Sequence, residues 1–269
     1  MQGARKWMGE LLLHSPAPLR SLRDVPVLGG IIHRLSHRIL PADEKVWAQI
    51  EVGPAKGIWM ELNPRTSQSY VRGEAEIAVQ QSLAERIQSG IVFYDLGANI
   101  GLFTLLAARL VGAGGKVYSF EPDPSVAARL RRNIARNGFE NVTVTEAGVW
   151  STTGEMKFVA ADSSSPDHGL GRLVPEDDDA PGTPSKCIAL DDFVKTSPPP
   201  HAIKCDVESA EVEVFRGAEN LLESHRPWIV CEIHSPANDR ELRTHLGRFG
   251  YSLESLDANH VLALPQGKQ

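Results

Sequence analysis

The chain lacks the charge that a nucleic-acid partner demands. It carries 28 Lys and Arg against 34 Asp and Glu, a net charge of −6 over 269 residues. Binding a phosphate backbone needs a basic face, so nucleic acid is excluded as the main partner. No uninterrupted apolar run approaches the roughly 20 residues that span a bilayer. Leu11-Leu12-Leu13 is too short an apolar core for a signal peptide and lacks a cleavage pattern. Only three cysteines occur, Cys187, Cys205 and Cys231, far apart and without a C-x-x-C pair. Each lies in an apolar, strand-like run, which reads as a buried, reduced thiol of a cytoplasmic protein. With 42% hydrophobic residues, the chain can bury one substantial core with a small appendage.

A third glycine is also missing, and its absence is informative. Ile91-Val92-Phe93-Tyr94 is an apolar, β-rich run of the kind buried on both faces of a parallel sheet. Asp95 ends it, and Gly97, Asn99 and Gly101 follow on alternate positions. Small or left-handed-tolerant residues there let the backbone approach a ligand. Residues 102–111 (LFTLLAARLV) then read as a helix, and Lys116-Val117-Tyr118-Ser119-Phe120 as a second strand stopping on Glu121. That acid stands about twenty residues past the loop, where a βαβ unit sets a carboxylate against ribose hydroxyls. A dinucleotide site expects G-x-G-x-x-G, but the pattern here is D-x-G-x-N-x-G. Asp95 would repel a pyrophosphate and suits a cationic sulfonium ligand with an amino acid tail. The pattern favours S-adenosylmethionine over NAD.

The rest of the chain extends this plan. Residues 1–45 form a basic, proline-broken extension, and residues 46–269 the main domain. Within the extension, Ile31, Ile32, Leu35 and Ile39 alternate with Arg34, His37 and Arg38 as an amphipathic helix. Such a helix suits packing on the domain or a second subunit, or, through residues 1–40, an anionic membrane surface. Residues 46–62 read as two strands about Gly53-Pro54, residues 74–88 as a helix, and residues 122–137 as another closed by Gly138. Asn141 to Thr145 is a third strand. Ala147 and Trp150 follow where this architecture meets an adenine, although a core role suits Trp150 equally. Residues 161–185 show no helical or strand period and suggest a lid or an irregular loop, with His168 as a substrate contact or a solvated loop residue. His201 to Asp206 is the fourth strand, 210–224 a helix, and Trp228 to His234 the fifth strand. A helix to about Phe249 and a terminal hairpin complete a seven-stranded, mostly parallel Rossmann-like α/β sheet with helices on both faces.

Ligands of such a sheet sit at the carboxyl ends of the strands beside the switch point. Asp206, Glu208 and His234 are therefore expected to converge beside the first strand, with Glu232 on the same strand face as His234. Methyl transfer from a sulfonium needs a base for the proton of an acceptor hydroxyl or amine, and Asp206 and Glu208 lead as candidates, with His234 next. Asp206 could alternatively hold the amino group of the methyl donor. Carboxylates with one histidine also suit Mg²⁺ or Mn²⁺, but no dedicated metal spacing is present and the metal-free reading is preferred.

DLGANIGLFTLLAARLVGAGGKVYSFEPDP resembles the nucleotide-binding half of the FkbM family of S-adenosylmethionine-dependent methyltransferases. IKCDVESAEVEVFRGAENLL with PWIVCEIH is similar to that family's second hallmark block. The resemblance runs from roughly Gly57 to His234 and takes in Tyr70, Gly73 and Glu76, which could close over the cofactor or the substrate entrance. Read from the residues alone, Glu76 is simply a first-turn helix acid. One departure is Ser209, where the family usually has glycine. The resemblance implies a class I methyltransferase fold and O-methylation of a sugar, polyketide or other small metabolite. It implies cofactor contacts from Asp95, Gly97, Ala98, Asn99, Gly101, Glu121 and Pro122, with S-adenosylhomocysteine as product. The competing readings are a catalytically silent binding protein on this scaffold and an NAD-dependent oxidoreductase.

Overall fold

The computed structural model describes Gly9, Leu13, residues 44–160 and residues 171–267. The amphipathic segment expected at 31–39, almost all of the N-terminal extension and His168 lie outside the described residues. Two compact units part between Ile77 and Ala78. The first contains the hairpin that the sequence groups with the main domain. Its strands, β1 (Val46–Gln49) and β2 (Trp59–Leu62), pair antiparallel with Val46 opposite Leu62. A one-turn helix, α1 (Gln68–Val71), follows them. No described helix is long and apolar enough to cross a membrane.

The second unit takes in nearly all of α2 (Ile77–Arg86) and then alternates strand and helix. These are β3 (Val92–Leu96), α3 (Leu102–Val111), β4 (Lys116–Phe120), α4 (Pro124–Asn137) and β5 (Val142–Thr145). Helix α4 starts where the Asp123 carboxylate accepts from the Ser125 and Val126 amides, and it stops at left-handed Gly138. Further along come β10 (Ala202–Cys205), β11 (Trp228–Glu232), α8 (Pro236–Arg248), β12 (Tyr251–Ser255) and β13 (His260–Pro265). The sheet order is β12-β13-β11-β10-β3-β4-β5. All pairs from β11 to β5 are parallel, and β13 runs antiparallel to both neighbours. The expected fold class is therefore the one observed. The switch point lies between β3 and β10, whose crossovers leave to opposite sides. Tyr94 and Phe120 from the sheet meet Phe193 edge to face, at 5.5 and 4.9 Å between ring centres.

Two stretches differ from expectation. The segment 161–185 is not wholly irregular, because β8 (Arg172–Val174) and the start of β9 (Thr183–Ile188) fall within it. With β6 (Gly148–Val149) and β7 (Gly154–Val159) they form a second sheet in the order β6-β9-β7-β8. Pro175, Pro181, Pro184 and three consecutive aspartates hide the strand period. The order comes from β7, which pairs with both β8 and β9. The helix expected over 210–224 is two, α6 (Glu211–Arg216) and α7 (Glu219–Ser224), after the short α5 (Leu190–Phe193). Gly217 divides them. A β-carbon there would lie 2.3 Å from the Trp150 carbonyl oxygen, and the Gly217 carbonyl accepts the Asp191 amide at 2.9 Å.

The turn from β10 into α6 holds two consecutive non-glycine residues in the left-handed region, Glu208 at φ +47° and Ser209 at φ +73°. A glycine at 209 would adopt this conformation without a steric penalty, which explains why the resembled family favours one. Two polar contacts of this residue are made by its backbone, the amide donating to Glu211 and the carbonyl accepting from Asn238. Ser209→Gly should therefore keep them. It should raise unfolding free energy by ~0.5 kcal/mol, the balance of ~1–2 kcal/mol of relieved strain against ~0.4–1 kcal/mol of added chain entropy. Urea denaturation checks this, and a loss of stability would show that the hydroxyl itself holds the turn.

Candidate active site

The loop after β3 is shaped by what its glycines approach. Gly97 has φ +74°, and a β-carbon on it would sit 1.7 Å from the Asp206 carbonyl oxygen. Its amide and that of Ala98 donate back to the Phe120 carbonyl at 3.1 and 2.9 Å. Asn99 is also left-handed, at φ +48°. Gly101 begins α3 at φ +97°, where a β-carbon would meet Leu130 at 2.3 Å. Glu121 joins this loop to the end of β4. One carboxylate oxygen accepts the Asn99 amide and the other the Asp123 amide, both at 2.9 Å. Burial pushes its pKa up to about 7 against the pull of those amides.

One cleft is lined by Gly97, Asn99, Glu121 and Pro122 on one side and by Asp206, Val207 and Glu208 on the other. Phe158 and Leu173 from the second sheet border it, as do Gly148 and Val149. The remaining expected cofactor residues surround this cleft without lining it. Asp95 is fully buried beneath the loop and accepts the Thr104 hydroxyl at 2.5 Å. Ala98 and Gly101 shape the loop backbone. Ala147 is buried, and the Trp150 amide donates to the Ile188 carbonyl at 3.2 Å. The two residues between them, carried by β6, face the cleft instead. Of the expected substrate contacts, Tyr70 lies in α1 and Glu76 follows at φ +46°, both in the first unit.

Beside the cleft, strand ends gather an acidic cluster. Asp206 follows β10, and its Oδ2 accepts Lys204 Nζ at 2.9 Å. His234 follows β11. Its Nε2 stands 3.3 Å from Glu208 and 3.7 Å from Asp206, and its Nδ1 bonds Glu211. Glu232 closes the group, for its carboxylate, that of Asp206 and a ring nitrogen of His234 lie within 4.8 Å of one another. Those three could surround a cation by distance alone. The positive charge at hand is instead the Lys204 ammonium, together with the His234 ring. Asp206, Glu208, His234 and Glu232 are thus brought together as the sequence suggests, although β11 ends two residues before His234.

The electrostatics separate the candidates. Burial pushes the Asp206 pKa up, but the Lys204 ammonium and hydrogen bonding with Lys204 and Glu232 more than offset it, leaving the pKa below the usual carboxylate range. Burial wins at Glu208, which is raised despite the attraction of His234. The hydrogen bond to Glu211 is the main reason His234 is raised to about 9, against burial and with help from the Glu208 and Asp206 charges. His234 is therefore an imidazolium at neutral pH. Sequence reasoning missed Lys204 and Glu211, which looked like a strand lysine and a first-turn helix acid. Their positions two residues before Asp206 and three after Glu208 were the available signal.

The pocket's residues fit a nucleoside with a cationic amino acid tail. Gly97 keeps the loop free of side-chain bulk, Glu121 offers acceptors for vicinal hydroxyls, and buried Asn99 Oδ1 has no hydrogen-bond partner among the described residues. Comparison with known proteins agrees with this chemistry. The methyltransferase FkbM domain profile matches residues 95–253. Hexuronic acid methyltransferase AglP of Haloferax volcanii is 27% identical over 70% of this chain and 74% of its own length. The 31-O-demethyl-FK506 methyltransferase FkbM of Streptomyces tacrolimicus is 34% identical over a shorter span, 34% of this chain and 30% of its own. Among solved structures, methyltransferase FkbM from Methylobacillus flagellatus KT superposes with TM-score 0.50 at 20% identity, covering 66% of this chain and 44% of that one. That likeness concerns the fold. From the domain match and the cleft together, the chain belongs to the FkbM methyltransferase family and is an S-adenosylmethionine-dependent methyltransferase.

Proposed function

We propose that the protein methylates a hydroxyl oxygen of a sugar or a similarly hydroxylated small metabolite, with Glu208 taking the acceptor proton. The observation that carries this reading is the meeting of Glu208 and His234 at the edge of the cleft that Gly97, Asn99 and Glu121 also line. Support for the acceptor class comes from the relatives, one named for hexuronic acid and one for a polyketide. S-Adenosylmethionine supplies an electrophilic methyl on a sulfonium, whose leaving group is already good. What remains for the chain is orientation and proton removal. Glu121 and the Gly97–Asn99 loop would hold the nucleoside. Asp206, ion-paired and weakly basic, would orient polar groups at the cleft's far side. Glu208 is a carboxylate made more basic by burial, and the His234 imidazolium beside it would fix its position. A neutral imidazole base is disfavoured at pH 7, because His234 keeps its proton up to about 9.

The reaction is tested by screening uronic acids, neutral sugars and polyketide alcohols for release of S-adenosylhomocysteine, with and without chelator. Glu208→Gln keeps the shape and removes the charge. It should retain S-adenosylhomocysteine affinity and lose about 10²- to 10⁴-fold in turnover. Turnover of the parent should be bell-shaped, rising as Glu208 ionises and falling as His234 loses its proton near pH 9. A rate that instead keeps rising through pH 9 would assign the base to the imidazole.

Glu121 generates a binding prediction that needs no acceptor. Hydroxyl donors favour its ionised form, so a ligand that supplies them must lower its pKa from about 7. Affinity for S-adenosylhomocysteine should therefore rise with pH through 7 and fall by up to about tenfold per unit below it. Calorimetry across pH 5.5 to 8.5, a range set roughly one and a half units about that midpoint, should show the slope in the parent and its loss in Glu121→Gln. Equal slopes in both would remove Glu121 from the ribose site.

A further inference from the structure

We infer that Glu211 is a positioning residue for the transfer reaction, acting through His234: it anchors Nδ1, so that Nε2 is the nitrogen presented to Glu208. This rests on the role given above to Glu208. Glu211 opens α6 and, by position alone, is an acid that caps its own helix. Its contacts exceed that task. The side chain is fully buried and takes hydrogen bonds from three separate segments. The Ser209 amide donates from the left-handed turn at 3.2 Å, Asn238 Nδ2 from α8 at 2.6 Å, and His234 Nδ1 from beyond β11. Asn238 also donates to the Ser209 carbonyl at 3.1 Å, so it ties α8 to the turn that carries Glu208. A carboxylate with both oxygens engaged in this way cannot swing away, and the imidazole is locked by the bond to its Nδ1.

The consequence is a division of labour on one ring. Nδ1 is committed to Glu211, and Nε2 faces Glu208 and Asp206 at 3.3 and 3.7 Å. The other charged or titratable groups around the ring are Glu232 at the end of β11, Lys204 behind Asp206, and Asp239, Arg243, Asp257 and His260 along the cavity that the ring borders on its other side. Among the described residues, only Glu211 combines full burial with a direct bond to the ring. It also does not line the cofactor cleft, so its influence on the reaction should pass through His234 and leave cofactor affinity alone.

Glu211→Gln preserves the length of the side chain and an acceptor for the Ser209 amide while removing the charge. Two readouts apply. The first is the ¹⁵N titration of the His234 ring in the protein without acceptor. The second is the alkaline limb of turnover. In the variant the His234 midpoint should fall from near 9 by about one pH unit or more toward the ordinary value of about 6.5. The alkaline limb should fall with it, and S-adenosylhomocysteine affinity should stay within about twofold. A helix cap alone would lower the melting temperature and move neither midpoint. An unchanged ring titration overturns the inference, and so does a shifted titration with an unmoved rate limb. If the variant does not fold, the parent protein decides the matter, since a His234 midpoint near 6.5 would show that Glu211 does not hold the ring. Failure of the Glu208 reading appears separately, as full turnover in Glu208→Gln, whereas the ring titration requires no activity.

Discussion

The contact on which this site depends is the approach of Gly97 to the Asp206 carbonyl. A β-carbon at 97 would lie 1.7 Å from that oxygen, so the two segments touch only because one has no side chain. Parallel pairing of β3 with β10, which sets Leu96 beside Cys205, delivers both segments to one level. From there the geometry propagates. The loop continues to Asn99, whose amide fixes Glu121 on the same side of the cleft. The other segment continues to Glu208, which lies beside His234. A donor pocket and an acidic cluster thus share one wall, built from the backbone of adjacent strands. Rigid elements hold such constellations more closely than loops can.

Charge balance explains how so many acids coexist there. Asp206, Glu208, Glu211 and Glu232 meet within a few ångströms of one imidazole and one ammonium. Buried like charges raise one another's pKa values unless cations or hydrogen-bond donors intervene. Lys204 settles on Asp206 and lies 4.9 Å over the Phe103 ring, which suits a cation. Asp206 is consequently a poor base and a good anchor. The His234 ring serves Glu211 on one side and Glu208 on the other. Glu208, away from the ammonium and partly exposed, has its pKa raised by burial and is the carboxylate that lines the cleft beside the imidazole.

Much of this was readable from the residues in order. The run Ile91–Tyr94, the glycine loop, the helix Leu102–Val111 and the acid ending β4 are local signals; the helix and β4 formed with the expected bounds, while β3 begins one residue later and runs on through Asp95 to Leu96. The convergence of Asp206, Glu208 and His234 also followed, since strand order alone brings the carboxyl ends of β10 and β11 together. Contacts made across the fold were not legible. Glu211 has the sequence appearance of an ordinary helix-start acid, and only the return of α8 and the chain after β11 turns it into the ring's partner. The strands β8 and β9 depend on β7 for their order, and their own prolines and aspartates conceal them. The break at Gly217 similarly reflects a neighbour, the Trp150 carbonyl, that no local pattern announces.

The least favourable backbone in the unit lies next to the proposed chemistry. Glu208 and Ser209 both occupy the left-handed region, at a cost of about 1–2 kcal/mol for each side chain that must be held there. A relaxed turn would avoid this cost, but it would carry the Glu208 side chain away from His234 and withdraw the Ser209 amide from Glu211. The hydrogen bonds to Glu211 and from Asn238 hold the turn at its two peptide groups, and these contacts are independent of which side chain stands at 209. Serine in place of glycine therefore leaves the aim of Glu208 intact and costs only stability. The departure from the family pattern falls on the side of folding, while the geometry proposed for the transfer reaction rests on the carboxylate two residues further on.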